Sequence, residues 1–164
     1  MTKFTIRLAT TADTPDIHRF VVTAFAPIFE SLHGMMGPTV FAFYYPDWHQ
    51  VQRDLVDALM ADDDAHVYVA VADDAAVGFL AYRLKPEMEG EIELLFVDPG
   101  HQGGGVGTAL NNFALDQMRA AGMRVATAAT GGDPGHAAAR RAYEKAGFTP
   151  VQQVWYIQSL SGDD

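Results

Sequence analysis

The stretch E-I-E-L-L-F-V-D-P-G-H-Q-G-G-G-V-G-T, Glu91 to Thr108, decides how this chain is read. It opens as a strand, because Ile92, Leu94, Leu95, Phe96 and Val97 form an apolar run that Asp98-Pro99 ends. A glycine-rich loop follows from Gly100 to Gly107. Val106, Leu110, Phe113 and Ala114 then recur at helical spacing. Strand, side-chain-poor loop and helix N-terminus together make a place for an anion. Glycine lets a ligand approach the main chain. Successive amide N–H groups form a concavity for phosphate oxygens, and the helix end adds free donors and the positive end of its dipole.

The spacing narrows the choice of ligand. No Gly-Lys-Ser/Thr follows the glycines, so the lysine-bearing nucleotide loop is absent. Gly103, Gly105 and Gly107 do not fit G-x-G-x-x-G, the dinucleotide fingerprint. They do fit Q-x-x-G-x-G, with Gln102, Gly105 and Gly107 in place. A second stretch, Ala139 to Phe148, reads A-R-R-A-Y-E-K-A-G-F. The two motifs, in this order and at this separation, resemble the coenzyme A loop and the downstream tyrosine and Gly-Phe signature of the Gcn5-related N-acetyltransferase (GNAT) superfamily. The order of elements agrees over nearly the whole chain.

Length and composition bound the rest. The 164 residues suit one domain, expected to span 1–164, and suffice for a sizeable core. The hydrophobic fraction of 49% is that of a globular protein. No apolar run approaches the ~20 residues of a membrane span, and Met1 to Leu8 does not read as a signal peptide. Without cysteine there is neither disulfide nor thiol nucleophile. A cytoplasmic protein is the expectation. A net charge of −10 argues against nucleic acid as a partner. The six histidines have no i, i+3 or i, i+4 pairing, so no metal is expected.

Along the chain, Lys3 to Leu8 alternates as a strand. A helix starts at Asp13-Thr14-Pro15, with Asp13 as its capping side chain, and ends near Pro27. From Pro27 to Asp47 the pattern breaks down into Gly, Pro, Met and aromatic residues, read as irregular core or pocket wall. Asp47 caps a second helix with Trp48, Val51, Leu55 and Leu59 inward. Strands at His66–Ala72, Val77–Leu84 and from Glu91 form a meander. A helix runs to about Ala121, a strand over Arg124–Thr130 lies parallel to the Glu91 strand, a short helix covers His136–Ala146, and a last strand covers Val151–Gln158. The expected fold is mixed α/β, a GNAT-like acyl-CoA N-acyltransferase architecture. Its central sheet is mostly antiparallel with one parallel pair (β4–β5) and helices on its flanks.

The resemblance implies an N-acetyltransferase that moves an acetyl group from acetyl-CoA to a primary amine of a small molecule or peptide by direct attack. A non-catalytic acyl-CoA-binding module of the same fold is the alternative. It implies main-chain pairing of the cofactor's arm with Leu95, Phe96 and Val97, and phosphate binding by Gln102, Gly103, Gly104, Gly105, Val106, Gly107 and Thr108. Gly103 and Gly104 stand where members often carry arginine or lysine, which leaves Arg140, Arg141 or Lys145 as helpers. His136 stands where members often carry asparagine. It reads either as a cofactor contact or as a helix-start residue. Tyr143 takes the place of the proton donor to the leaving thiolate. Glu91 and Glu93, two apart on one strand and so on one face, are the candidate bases; each reads equally as a solubilising strand residue. Phe29, Tyr44, Tyr45 and Trp48 are the candidate acceptor walls. Homodimers are frequent in the superfamily, so a homodimer is compatible with the resemblance.

Overall fold

The computed structural model describes residues 3–160; Met1, Thr2 and residues 161–164 of the expected domain lie outside the described residues. Five strands form one sheet in the order β1 (Thr5–Leu8), β2 (His66–Ala72), β3 (Ala75–Lys85), β4 (Glu89–Val97) and β5 (Val125–Ala128). The first four are antiparallel neighbours, and β4 and β5 are parallel. The β2–β3 turn works as the sequence suggests, since Asp73 and Asp74 both take positive φ, as a two-residue hairpin requires.

Helices α1 (Thr14–Met36) and α3 (Trp48–Ala61) cover one face of the sheet. There Phe20, Val21, Val56, Val69, Phe79 and Phe96 close a core. Helix α4 (Val106–Ala120) covers the other face through Leu110, Ala114 and Met118, against Leu80, Tyr82 and Ile92. Each such side chain, fully buried, contributes about 1.5–3 kcal/mol. The contact is close: a Cβ at Gly78 would stand 2.9 Å from both Leu110 and Val106.

Four expectations are corrected. Helix α1 does not end near Pro27 but continues through it to Met36, and a further helix α2 (Pro38–Tyr44) fills the segment expected to be irregular. Proline removes one intrahelical hydrogen bond. The aromatic contacts beyond it outweigh that loss, because Phe29 packs on Phe25, Phe41, Tyr45 and Trp48. Asp13 does not cap α1 with its side chain. Its carboxylate instead receives Arg7 at 2.7 and 2.8 Å and the Thr10 main-chain N–H at 2.8 Å.

Helix α3 is capped by Asp47 as expected, but its inner face is Gln52, Val56 and Leu59, while Val51 and Leu55 are exposed. Stacking of Trp48 on Phe29 and the His18–Asp57 pair set this roll. The last strand over Val151–Gln158 does not form. Val151, Val154 and Tyr156 are largely exposed, and Trp155 packs edge-on against Tyr44, ring centroids 5.1 Å apart. A cleft of about 460 Å³, lined by Met118, Val125 and Phe148 among others, lies beside β5.

Candidate functional site

The site begins at a β-bulge. Opposite β3, Ala81 pairs with Leu94 but Tyr82 pairs with Ile92, so Glu93 is the extra residue. The bulge breaks the alternation: Ile92 packs toward α4, while Leu94, two residues on, packs toward α1 with Phe96. Bulges of this kind bend a strand and re-aim its side chains. Glu91 and Glu93 reach the same row of cations, as their spacing suggested. The Lys85 ammonium lies 2.6 Å from Glu91, and Arg83 Nε donates to Glu93 at 2.8 Å while its other arm holds Asp62 at 2.6 Å. Glu91, and then Glu89, hold the Lys85 ammonium above its ordinary value of 10.5.

Past the bulge the sheet opens. Pairing of β4 with β5 runs from Glu89 with Val125 to Ile92 with Ala128 and stops. Among the described residues, the main chain of Leu95, Phe96 and Val97 has no strand beside it on that side. The strands are parallel, so their carboxyl ends deliver two loops to the same end of the seam, residues 98–105 and 129–136. A crevice beyond the carboxyl ends of parallel strands is the usual ligand position in such sheets.

The first loop is sparse. Asp98 accepts from the Gly100 N–H and from Arg19 of α1, both at 3.1 Å, which fixes the loop's start. Gln102 folds back and donates Nε2 to the Val97 carbonyl at 3.1 Å. Gly103 and Gly105 take φ of 76° and 89°, and Gly105 directly precedes α4. The run from Gln102 to Thr108 thus reaches the helix N-terminus with Val106 buried beneath it and Gly107 next to Val97.

The second loop is dense. Asp133 is buried; its carboxylate pairs with His136 Nδ1 and accepts from the Gly135 N–H at 2.9 Å. Burial pushes this carboxyl up, but His136 outweighs burial, with help from Ser31, and holds it below its ordinary value. Arg140, one of the candidate phosphate helpers, donates NH1 to the carbonyls of Gly131 at 2.6 Å and Asp133 at 2.7 Å. A Cβ at Gly135 would stand 2.6 Å from the Cα of Ile28, so this loop rests directly on the backbone of α1.

Helix α5 (Ala137–Lys145) leads from this loop to Tyr143, two turns after His136 on the same face. Tyr143 packs on Phe148 and on the α4-side core, and burial pushes its phenol up to about 12. It is therefore a protonated donor over the whole neutral range.

The aromatic candidates divide. Phe29, Tyr45 and Trp48 cluster, with Phe29 stacked on Trp48 at 4.2 Å, beside a cleft of about 390 Å³ lined also by Glu30, His33, Phe41 and His49. Tyr44 stands at the margin against Trp155. Phe25 bridges this cluster to Phe96 of β4, at centroid distances of 6.5 Å and 5.6 Å. The sequence reading passed over Lys85, Arg83 and Asp133. The first two lie outside any motif, and Asp133 falls between the expected strand Arg124–Thr130 and the expected helix His136–Ala146. The one signal was its place three residues before His136 in D-P-G-H.

Proteins similar to this chain are known. Residues 34–148 match the Acetyltransferase (GNAT) family. The chain is 42% identical over 79 residues to the mycothiol acetyltransferase of Beutenbergia cavernae, covering 48% of this chain and 26% of that protein. It is 35% identical over 116 residues to the mycothiol acetyltransferase of Streptomyces avermitilis, covering 69% of this chain and 37% of that one. The chain therefore spans only about a quarter to two fifths of the length of these curated relatives. Among solved structures, a protein assigned to the GNAT family from Desulfovibrio desulfuricans aligns with a TM-score of 0.70 at 26% identity, over 92% of this chain and 87% of that one. The PaiA N-acetyltransferase of Thermoplasma acidophilum, solved in complex with coenzyme A, aligns at 0.68 over 90% of each chain; at 15% identity this likeness is one of fold.

Proposed function

Because the chain belongs to the acetyltransferase (GNAT) family, we propose that it transfers an acetyl group from acetyl-CoA to a primary amine by direct attack in a ternary complex. The observation that carries this reading is the seam itself. An unpaired stretch of β4 main chain runs into a loop of free amides at a helix N-terminus. The residues fit the cofactor. The pyrophosphate takes the N–H groups from Gly103 to Thr108, where Gly107 leaves room and the α4 dipole favours negative charge. The pantetheine amides pair with the open edge at Leu95, Phe96 and Val97 as a strand would. A β4 main-chain N–H then polarises the thioester carbonyl in the transition state.

The leaving thiolate takes its proton from Tyr143. Removal of the amine's proton falls to a group beside the seam. Glu91 and Glu93 are the strand candidates, and each is already neutralised by a cation. The acceptor's body lies against Phe29, Tyr45 and Trp48, with Tyr44 at the rim. The two curated relatives are named for mycothiol, which favours a small-molecule amine over a protein acceptor.

The test is thermal unfolding with and without acetyl-CoA, followed by thiol release over a panel of primary amines that opens with the substrate of those relatives. Ligand at ~100 times its dissociation constant adds about 2.7 kcal/mol, a rise of about 5–10 °C for a domain of this size. No shift at millimolar cofactor removes the reading. A shift without turnover of any amine leaves the acyl-CoA-binding module in its place.

A further inference from the structure

The second strand-end loop is built more tightly than a chain reversal needs. Asp133 has a side chain 3% exposed, and its carboxylate pairs with His136 Nδ1. The imidazole is itself 19% exposed. Its other nitrogen, Nε2, has no hydrogen-bond partner among the described residues. The contrast with His18 decides the weight of this pair. His18 meets an aspartate that is 52% exposed, Asp57, in an ordinary surface contact between two helices. A buried carboxylate that fixes Nδ1 and leaves Nε2 of a partly exposed imidazole unpartnered is the arrangement of an oriented proton acceptor.

We infer that His136, oriented by Asp133 in the loop that follows β5, accepts the proton of the acceptor amine at Nε2. This rests on the acetyl-transfer reading and adds a residue to it. The groups around the imidazole are few. Asp133 faces Nδ1, and α1 contributes the Ser31 hydroxyl behind Asp133. Arg140 points its guanidinium at the carbonyls of Gly131 and Asp133, and Glu30 and His33 of α1 line the aromatic cleft. The strand carboxylates are spoken for by Lys85 and Arg83. Among the described residues no lysine or arginine pairs with the His136 imidazole.

The step balances without a further reactant. The bound ammonium gives one proton to Nε2, and the freed lone pair forms the C–N bond to the thioester carbonyl. The C–S bond breaks with its electron pair going to sulfur. The thiolate takes the phenol proton of Tyr143, and the surplus proton of the new amide nitrogen returns to the phenolate. Imidazolium then loses its proton to water.

Two measurements test this. The first needs no acceptor: imidazole nitrogen resonances of the protein report the tautomer. The inference requires neutral His136 to carry its proton on Nδ1, and Asp133→Asn to change that signature; a proton on Nε2 overturns it whether or not any amine is acetylated. The second is the pH profile with the best acceptor of the panel. His136→Gln should lower kcat by about 100-fold or more and remove the limb on which activity rises with pH. Asp133→Asn, a positioning change, should displace that limb. If His136→Gln keeps the limb and raises only the KM for acetyl-CoA, His136 is a cofactor contact and the inference fails. Loss of the limb in Glu91→Gln alone overturns it in favour of the strand glutamate. Failure of every amine to react counts against the acetyl-transfer reading, while the tautomer still decides the dyad.

Discussion

The loops that leave β4 and β5 stand side by side and are built by opposite rules. In the loop after β4, five of the eight residues from Gly100 to Gly107 are glycine, and few side chains bond to it. Its first amides, Gly100 to Gln102, bond back to Asp98 and Pro99, while those from Gly103 to Thr108 have no partner among the described residues. In the loop after β5, donors and acceptors are used up internally: Asp133 serves His136 and the Gly135 N–H, Arg140 serves two carbonyls, and Gly135 rests on the backbone of α1. The first loop offers main-chain donors at a helix N-terminus, as the proposed phosphate site requires. The second is shaped to hold one side chain still. An N–H already paired inside the protein cannot also bind phosphate, so a site that needs both anion binding and a fixed base divides the tasks between two loops.

The contrast breaks most sharply at Gly135. A valine there meets the Cα of Ile28 and the carbonyl oxygen of Pro27, each within 3 Å of the new Cβ. Overpacking against backbone costs about 3 kcal/mol; a melting temperature unchanged by Gly135→Val would mean the second loop is not bolted to α1. The next effect belongs to the first loop. Gly107 has only ordinary contact, 3.5 Å, between an added Cβ and Val97, and an acid in the first turn of a helix suits its dipole. Gly107→Glu should therefore leave the unliganded melting temperature nearly unchanged. It should weaken coenzyme A binding about 100-fold, measured by calorimetry; retained affinity would move the phosphates away from this loop. The smallest effect is on acid stability. Asp133 is held below its ordinary value, so its contribution is present above the unfolded value near 3.8 and is lost as pH falls through the lower folded one. Denaturant titrations below pH 4 should show a flatter pH dependence in Asp133→Asn than in the wild type, and equal slopes would show that the pair adds nothing to the folded state.

Much of this was legible in the residues. The apolar alternation of Val67, Val69 and Val71, the Asp73-Asp74 turn and the helix spacing after Gly105 are local signals, and each element formed close to its expected bounds. The parallel β4–β5 pair followed from the helix between them. The misses fall where distant residues decide. Pro27 reads as a helix end locally, but Phe41, Tyr45 and Trp48, far along the chain, hold the helix beyond it. Val151–Gln158 reads as a strand, yet strand propensity is expressed only against a partner, and this segment packs Trp155 on Tyr44 instead. At the site, the glycine loop and Tyr143 were visible as motifs. The pairing of Glu91 with Lys85 and Glu93 with Arg83 was not, because a hairpin brings those residues together across six to ten positions.

The sequence by itself determined the sheet's meander, the anion-receiving loop and the tyrosine behind it, since periodicity, glycine spacing and turn residues act within a few positions of the chain. Only the tertiary structure decided that β4 would bulge at Glu93, that its edge would open beyond Ile92, and that Asp133 would be buried and hold the His136 imidazole by Nδ1. Those features arise where elements far apart in sequence compete for the same space and the same hydrogen-bonding groups. Pairing and burial settle that competition in three dimensions.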